Sequence, residues 1–231
     1  MAAGDVQNTD ANRRNTDAPI WLAHGADIYA FIKPVAIRKT VQARQILVDQ
    51  GEPVSHIYFV LKGRAQAFVY SEDGQRFWVA DFEPGDIFGH PEILSDAPIE
   101  FEVRADTDMQ LVALPARAFS DMMKGEPGMG RNVSKALAAS LNRANTRLFE
   151  LATLTATARV CAELHRMAKP IGKTPDTWII RPNPVYSNFA LRVQSTRETV
   201  SRTISMLQKK GIVERETGAL VILAPDRLRP G

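Results

Sequence analysis

The sequence predicts an α+β protein in three parts: an N-terminal antiparallel β-roll, a long helix, and a C-terminal winged helix-turn-helix. Three observations predict it. Residues 25–120 are a series of short apolar or alternating runs, punctuated by Gly51, Gly63, Gly74, Gly85 and Gly89, which is the spacing of a barrel or double-sheet roll. From about Asn132 the apolar period changes to alternating threes and fours, the mark of a helix. Residues 185–222, VYSNFALRVQSTRETVSRTISMLQKKGIVERETGALVI, read as a helix, a short turn, a second helix and a two-stranded wing.

At 231 residues the chain is long enough for two small domains, each with its own core. An apolar fraction of 45% and a charged fraction of 24% are those of an ordinary soluble protein. The net charge is only +3, so nucleic acid is permitted as a partner but not demanded. The charge is uneven, however. Arg192, Arg197, Arg202, Lys209, Lys210 and Arg215 gather within residues 192–215 against Glu198 and Glu214, a local basic patch of the kind a specific DNA reader needs. The single cysteine, Cys161, forms no internal disulfide and cannot hold an iron–sulfur cluster, which usually needs four thiolates. A reducing cytoplasm is the simplest compartment. No run of about 18 apolar residues predicts a membrane span. The opening MAAGDVQNTDANRRNTDAP has no apolar core of a secretory signal, and residues 1–20 are expected to be a disordered tail.

A sensor-like roll is assigned to 21–130. Its strands are expected in ARQILVDQG, HIYFVLKGRAQAFVY, RFWVADFEPGDIFG, FEVRADT and MQLVALP, and Asp73-Gly74 between FVY and RFWVA is a hairpin signal. Residues 131–153 follow as a helix in which Leu137, Leu141, Ala144, Leu148 and Leu151 form a narrow seam flanked by Lys135, Asn142, Arg143, Arg147 and Glu150. A seam this narrow suits one partner helix, so it is read as a parallel homodimer contact. The alternative is a helix packed on its own domain. Residues 154–231 are assigned to the last domain. TATARVCAELHRMAK is expected as a further helix, and WII as a strand added to the wing sheet.

Within 185–222, Phe189, Ala190, Leu191 and Val193 mark a short first helix. Ser195 or Thr196 caps the second by accepting the free amide hydrogens of its first turn, with Glu198 completing the capping pattern. Val200, Thr203, Ile204 and Leu207 face inward. Thr196, Arg197, Glu198, Ser201 and Arg202 are left outward. Arginine pairs with guanine and glutamate accepts from the cytosine amino group, while hydroxyls suit phosphates. Arg215 on the wing is a further phosphate candidate. A solvated amphipathic helix with local charge pairs is the bland alternative, weakened by the order of helix, turn, helix and wing.

The order of parts, with the segments STRETVSRTISMLQKKGIV, EPGDIFGHPEIL and LKGRAQAF, resembles the cyclic AMP receptor / fumarate–nitrate regulator superfamily over residues 25–225. The resemblance implies a cyclic-nucleotide-binding-like roll, and it places Arg197, Glu198 and Arg202 at base-reading positions and Ser201 at a further DNA-contacting position. It implies double-stranded DNA, a second copy of the chain and RNA polymerase as partners, no membrane, and a two-fold symmetric site with half-sites in adjacent major grooves. Gln194 departs from the family, which often has glycine in the inter-helix turn. It is expected to adopt a slightly different turn.

The effector-pocket candidates that the resemblance points to are Gly89, His90, Glu100, Phe101, Ala144 and Asn145. They depart from the cyclic AMP pattern at three places. His90-Pro91 follows Gly89 where relatives carry a ribose-binding glutamate. Ile99-Glu100-Phe101 replaces the phosphate-binding Arg-Ser pair. Ala144-Asn145 replaces an adjacent hydroxyl pair. A carboxylate at Glu100 beside a phosphate would cost several kcal/mol at an effective dielectric of ~20. The expected effector is therefore a small molecule other than cyclic AMP, or none.

Haem has four candidate ligands, His24, His56, His90 and His165, without a visible second ligand. Cys161 reads as a buried small residue, a redox switch only with a lowered pKa. Glu92, Asp96, Glu100 and Glu102 read as an acidic solvated loop, and no metal site is expected. No catalytic constellation appears, so an enzyme is not expected. The remaining alternative is a nucleotide-sensing module, for a cyclic dinucleotide for instance, acting through a protein partner.

Overall fold

In the computed structural model of the chain, residues 35–125, 127–171 and 177–229 are described. The expected tail, the opening of the expected roll domain and His24 lie outside them. The chain divides into two compact units, residues up to 67 together with 80–138, and residues 68–79 together with 139 onward. Strands expected in the runs of the first half form, joined by one that those runs did not contain. That strand is β1, Ile37–Val41, whose sequence IRKTV buries only Val41 and so leaves almost no apolar alternation to read.

The first half of the chain forms two four-stranded sheets. One has the order β1-β8-β3-β6, the other β2-β7-β4-β5, with β2 at Ile46–Val48, β3 at His56–Lys62, β4 at Ala65–Tyr70, β5 at Arg76–Phe82, β6 at Ile87–Phe88, β7 at Glu102–Ala105 and β8 at Met109–Pro115. β3 pairs antiparallel with β8, Tyr58 opposite Ala113 and Phe59 opposite Val112. Alternate side chains of β3 enter different cores. Tyr58 and Val60 join Val103, Met109 and Leu111 in the interior. Ile57 and Phe59 join Phe119, Met122, Met129 and Val133. A strand buried on both faces loses period-two alternation, which explains why HIYFVL reads as one apolar run. The turn after β3 requires glycine: Gly63 has φ +84°, and a Cβ there would stand 2.2 Å from the Asp108 carbonyl oxygen.

Three helices follow. They are α1 (His90–Ser95), α2 (Ala116–Gly125) and α3 (Pro127–Thr153). α3 is continuous but two-faced along its length. Its first turns cover the roll through Met129 and Val133, with Leu137 partly buried in the same cluster. Its later residues Leu141, Leu148 and Phe149 are exposed, at 61%, 63% and 66%. Leu137 thus leaves the expected seam for the roll's own core. Ala144 is exposed and Leu151 half-buried.

The second unit contains α4 (Ala156–Met167), α5 (Tyr186–Arg192), α6 (Arg197–Lys209) and a sheet in the order β11-β12-β10-β9, with β9 at Lys169–Pro170. In that sheet β10 (Trp178–Ile180) pairs antiparallel with β12 (Ala219–Ile222), which pairs with β11 (Val213–Glu216). WII therefore does join the wing sheet. The core gathers Val160 and Leu164 of α4, Phe189 and Val193, Val200, Ile204 and Leu207 of α6, and Leu220 and Ile222. Residues 68–79, the tip of the β4–β5 hairpin, group with this unit. Among the described residues no helix is long and apolar enough to cross a membrane.

Candidate nucleic-acid interface

Thr155 starts α4 by accepting the Ala158 amide hydrogen at 3.2 Å. From the second turn the helix presents two faces. Val160 and Leu164 enter the core, while Arg159, Glu163 and Arg166 share the other side at i, i+4 and i+7. Arg159 spends its guanidinium on backbone carbonyls: Nη1 donates to Leu154 at 2.8 Å, Nε to Val193 at 2.9 Å and Nη2 to Gln194 at 3.1 Å. Two of those acceptors form the turn between α5 and α6. Gln194 sits there with φ 45°, in the left-handed region. It keeps the conformation that glycine would supply, contrary to the different turn expected, at a cost of roughly 1–2 kcal/mol for a residue with a Cβ. The Arg159 bonds offset that cost. Nothing in the local sequence signals this arginine; only its tertiary partners do.

Thr196 caps α6, its hydroxyl accepting the Thr199 amide hydrogen at 3.2 Å. Val200, Thr203, Ile204 and Leu207 are buried as expected. Thr203 is satisfied inside by donating to the Thr199 carbonyl at 2.8 Å. Arg197, Glu198 and Arg202 are exposed and Ser201 is half-buried. The Glu198 carboxyl is held below the usual range, first by its own backbone amide and the Thr196 hydroxyl, then by Arg197 and Arg202. It therefore stays an acceptor at neutral pH. Ser205, one turn further along, is also exposed. The i+7 spacing from Glu198 puts it on the same face, a position the sequence reading passed over. The helix ends at Lys209, before Gly211, and the wing strands turn at Thr217-Gly218.

Two members of the expected basic patch are engaged elsewhere. Arg192, the last residue of α5, is turned inward: its side chain is 9% exposed, and Nη1 reaches Glu163 Oε1 at 3.4 Å. It also lies over the Trp78 ring, 5.1 Å from the centroid. It is a structural cation, and the patch is smaller than its residue count. Arg215 remains exposed but lies 5.0 Å over the Tyr186 ring and donates to the Tyr186 hydroxyl. Asn183 donates to the Glu216 carbonyl at 3.1 Å. These contacts tie the wing to the start of α5.

The effector-pocket candidates divide between the units, with Gly89, His90, Glu100 and Phe101 in the first, Ala144 and Asn145 exposed on the second half of α3. Gly89 has φ +86°, and a Cβ there would meet the His56 carbonyl oxygen at 2.7 Å. His90 is 3% exposed. Neither ring nitrogen has a hydrogen-bond partner among the described residues, nor does the buried Oε2 of Glu92. Burial holds the His90 ring down to about 4 and pushes the Glu92 carboxyl up. Ile99 is fully buried in the roll interior, Phe101 packs against the same cluster, and Glu100 is exposed. The acidic residues do not form one solvated loop. Glu102 is buried and accepts two bonds from Arg104, at 2.8 and 2.9 Å. Among the described residues no histidine, cysteine and acidic side chains gather as metal ligands. Cys161 is half-buried and burial pushes its thiol up, away from the thiolate a redox switch needs.

Residues 38–126 match the family model of the cyclic nucleotide-binding domain, and residues 158–230 that of the Crp-like helix-turn-helix domain. Together they span more than two thirds of the chain. The chain belongs to the Crp/Fnr superfamily. It is 24% identical over 183 residues to the cAMP-activated global transcriptional regulator CRP of Pasteurella multocida, covering 78% of this chain and 87% of that one. It is 22% identical over 202 residues to regulatory protein HlyX of Actinobacillus pleuropneumoniae, covering 83% and 80%. Among solved structures it is similar to FixK2 from Bradyrhizobium japonicum, with a TM-score of 0.72, 23% identity and coverage of 84% and 96%. A second is the c-di-GMP responsive global regulator CLP of Xanthomonas campestris, with a TM-score of 0.70, 20% identity and coverage of 85% and 98%.

Membership in the Crp/Fnr superfamily makes the chain a DNA-binding regulator by its helix-turn-helix domain. The roll carries a buried histidine whose ring nitrogens have no hydrogen-bond partner among the described residues. The folded-state value of about 4 lies below the ordinary 6.5, so between those values the unfolded chain binds a proton that the folded chain does not. His90 therefore contributes stability in full above pH 6.5 and loses it as pH falls toward 4. In denaturant melts of wild type and His90→Leu taken from pH 7 to pH 4, the stability difference between them should move by about 3 kcal/mol in favour of the variant. Parallel pH profiles would show that the ring is not buried in its neutral form.

Proposed function

We propose that the protein is a sequence-specific transcription regulator that binds a two-fold symmetric DNA site as a homodimer, with an effector other than cyclic AMP or with none. The observation that carries the reading is α6. Its apolar residues are buried, its first turn is capped by Thr196, and Arg197, Glu198 and Arg202 are exposed on one side. A module that sensed a nucleotide only to signal to a protein would have no use for exposed arginines beside an acceptor carboxylate at a helix start. DNA as the partner implies the cytoplasm, and regulation at promoters implies RNA polymerase as a further partner.

The homodimer reading rests on α3. Leu141, Ala144, Leu148 and Leu151 keep a heptad spacing, and three large apolar side chains on this stretch are exposed in the single chain. Contiguous exposed apolar surface of this kind marks an interaction site. The effector reading rests on the roll. Where cyclic-AMP-binding relatives are expected to place the phosphate arginine, this chain buries Ile99 and exposes Glu100. The unpartnered nitrogens of His90 and the Glu92 oxygen leave hydrogen-bonding capacity of a different chemistry, a neutral donor and acceptor.

Selection from a random-sequence duplex library should recover an inverted repeat. On that duplex Arg202→Ala should lose roughly 1–3 kcal/mol and relax the preference at one base pair in each half-site. An equal loss on random DNA would make Arg202 a phosphate contact instead. Leu141→Asp combined with Leu148→Asp should sediment as a monomer, and an unchanged dimer would remove α3 as the interface. Calorimetric titration with cyclic AMP should show no saturable heat in the micromolar range, whereas a micromolar isotherm would overturn the effector reading.

A further inference from the structure

The β4–β5 hairpin tip carries a tryptophan that neither the helix-turn-helix nor the roll interior explains. The geometry points to Trp78 as a positioning residue for the recognition helix: its indole holds Arg192 in place and thereby fixes the end of α5 from which the turn to α6 departs. The inference rests on the DNA-reading role of α6 proposed above.

Four observations support it. Arg192 and Arg147 both lie over the indole, 5.1 and 4.8 Å from its centroid. The same two arginines pair with Glu163, at 3.4 and 2.7 Å, and that carboxylate is 1% exposed. Arg166 joins Glu163 to Glu150 on α3. Arg192 is followed directly by Val193 and Gln194, whose carbonyls Arg159 already holds. The left-handed turn is thus fixed from two sides, by Arg159 through its carbonyls and by Arg192 through the preceding helical residue. The cleft lined by Trp78, Arg147, Arg159, Arg192, Val193 and Gln194 has an accessible volume of about 60 Å³. That is space for a few waters, and the side chains around it engage one another, so the cluster is a clasp.

Loss of the indole removes a partly desolvated attraction to two guanidinium groups and opens the Glu163 network to water. Arg192 then samples other rotamers, and the turn beyond it gains freedom. When the binding-competent orientation of α6 is populated only in part, apparent affinity falls by that fraction.

Trp78→Ala and Trp78→Phe test the assignment in the full-length protein. In hydrogen exchange, the peptide covering 189–196 should exchange faster in Trp78→Ala and return close to wild type in Trp78→Phe, which keeps an aromatic face. On the selected duplex Trp78→Ala should weaken binding about five- to thirtyfold, with random-sequence DNA affected less than about twofold and Trp78→Phe largely rescued. Unchanged exchange in 189–196 overturns the proposal, as does an equal loss on selected and random DNA. Exchange is measured without DNA. A wild type that binds no duplex would therefore defeat the DNA-reading role and leave the exchange result to decide the Trp78 clasp.

Discussion

The second unit is organised around one buried carboxylate. Glu163 has almost no access to water, and Arg147, Arg166 and Arg192 surround its carboxylate. Each arginine comes from a different helix: α3, α4 and α5. A buried ion of this kind contributes little net stability compared with an apolar replacement of the same shape, yet removing one partner is costly because the remaining charge stays desolvated. Its effect is therefore on geometry. The three helices can approach only in arrangements that bring all three guanidinium groups to one point. α4 is suited to this because its opposite side, Val160 and Leu164, belongs to the core under the recognition helix. The ion cluster and the apolar core are two faces of the same helix, and neither can move without the other.

From that anchoring follows the exposure of the polar residues of α6. α6 is held by four buried side chains, by the Thr196 cap and by a turn that keeps Gln194 in a conformation it would not choose alone. With the backbone fixed, Arg197, Glu198 and Arg202 make only contacts local to the start of α6 and stay exposed. The strained residue Gln194 lies in the turn before α6, while Arg197, Glu198 and Arg202 on the helix itself are exposed. That division is expected for recognition, in which side chains must be free to meet a partner and the frame beneath them must not.

Much of this was legible in the sequence, and the limits have physical reasons. The helix-turn-helix and wing could be read because period 3.6, a hydroxyl cap, Gly211 and a wing turn all agree locally. The β-roll could be read from glycine-punctuated runs, but β1 was missed because IRKTV turns only Val41 inward. Arg192 was counted toward DNA because composition records charge, not direction. Its neighbours Glu163 and Trp78 are about 30 and 114 positions away in the chain, beyond any local pattern. The acidic series from Glu92 to Glu102 looked solvated because Arg104, the partner that buries Glu102, was read as strand residue alone. Positions that depend on local periodicity were recoverable; positions that depend on which distant group arrives were not.

The same distinction sharpens the helix α3. A seam of five residues was read as continuous, but the first of them, Leu137, is drawn into the cluster of Met129 and Val133. Its apolar area is already spent on the roll and cannot be spent again on a partner. The free stretch begins at Leu141 and runs through Ala144 and Leu148 to Leu151, with Phe149 exposed beside it. On the far side of the same stretch, Arg147 and Glu150 are drawn toward Arg166 and Glu163. The helix therefore serves the roll with its first turns and the second unit with its charged flank, and it leaves Leu141 and Leu148 exposed. A partner docked on Leu141 and Leu148 would bear on the helix that supplies Arg147 to the Glu163 cluster. Such a partner and the Glu163 cluster would thus meet on a single element, at the adjacent positions Leu148 and Arg147.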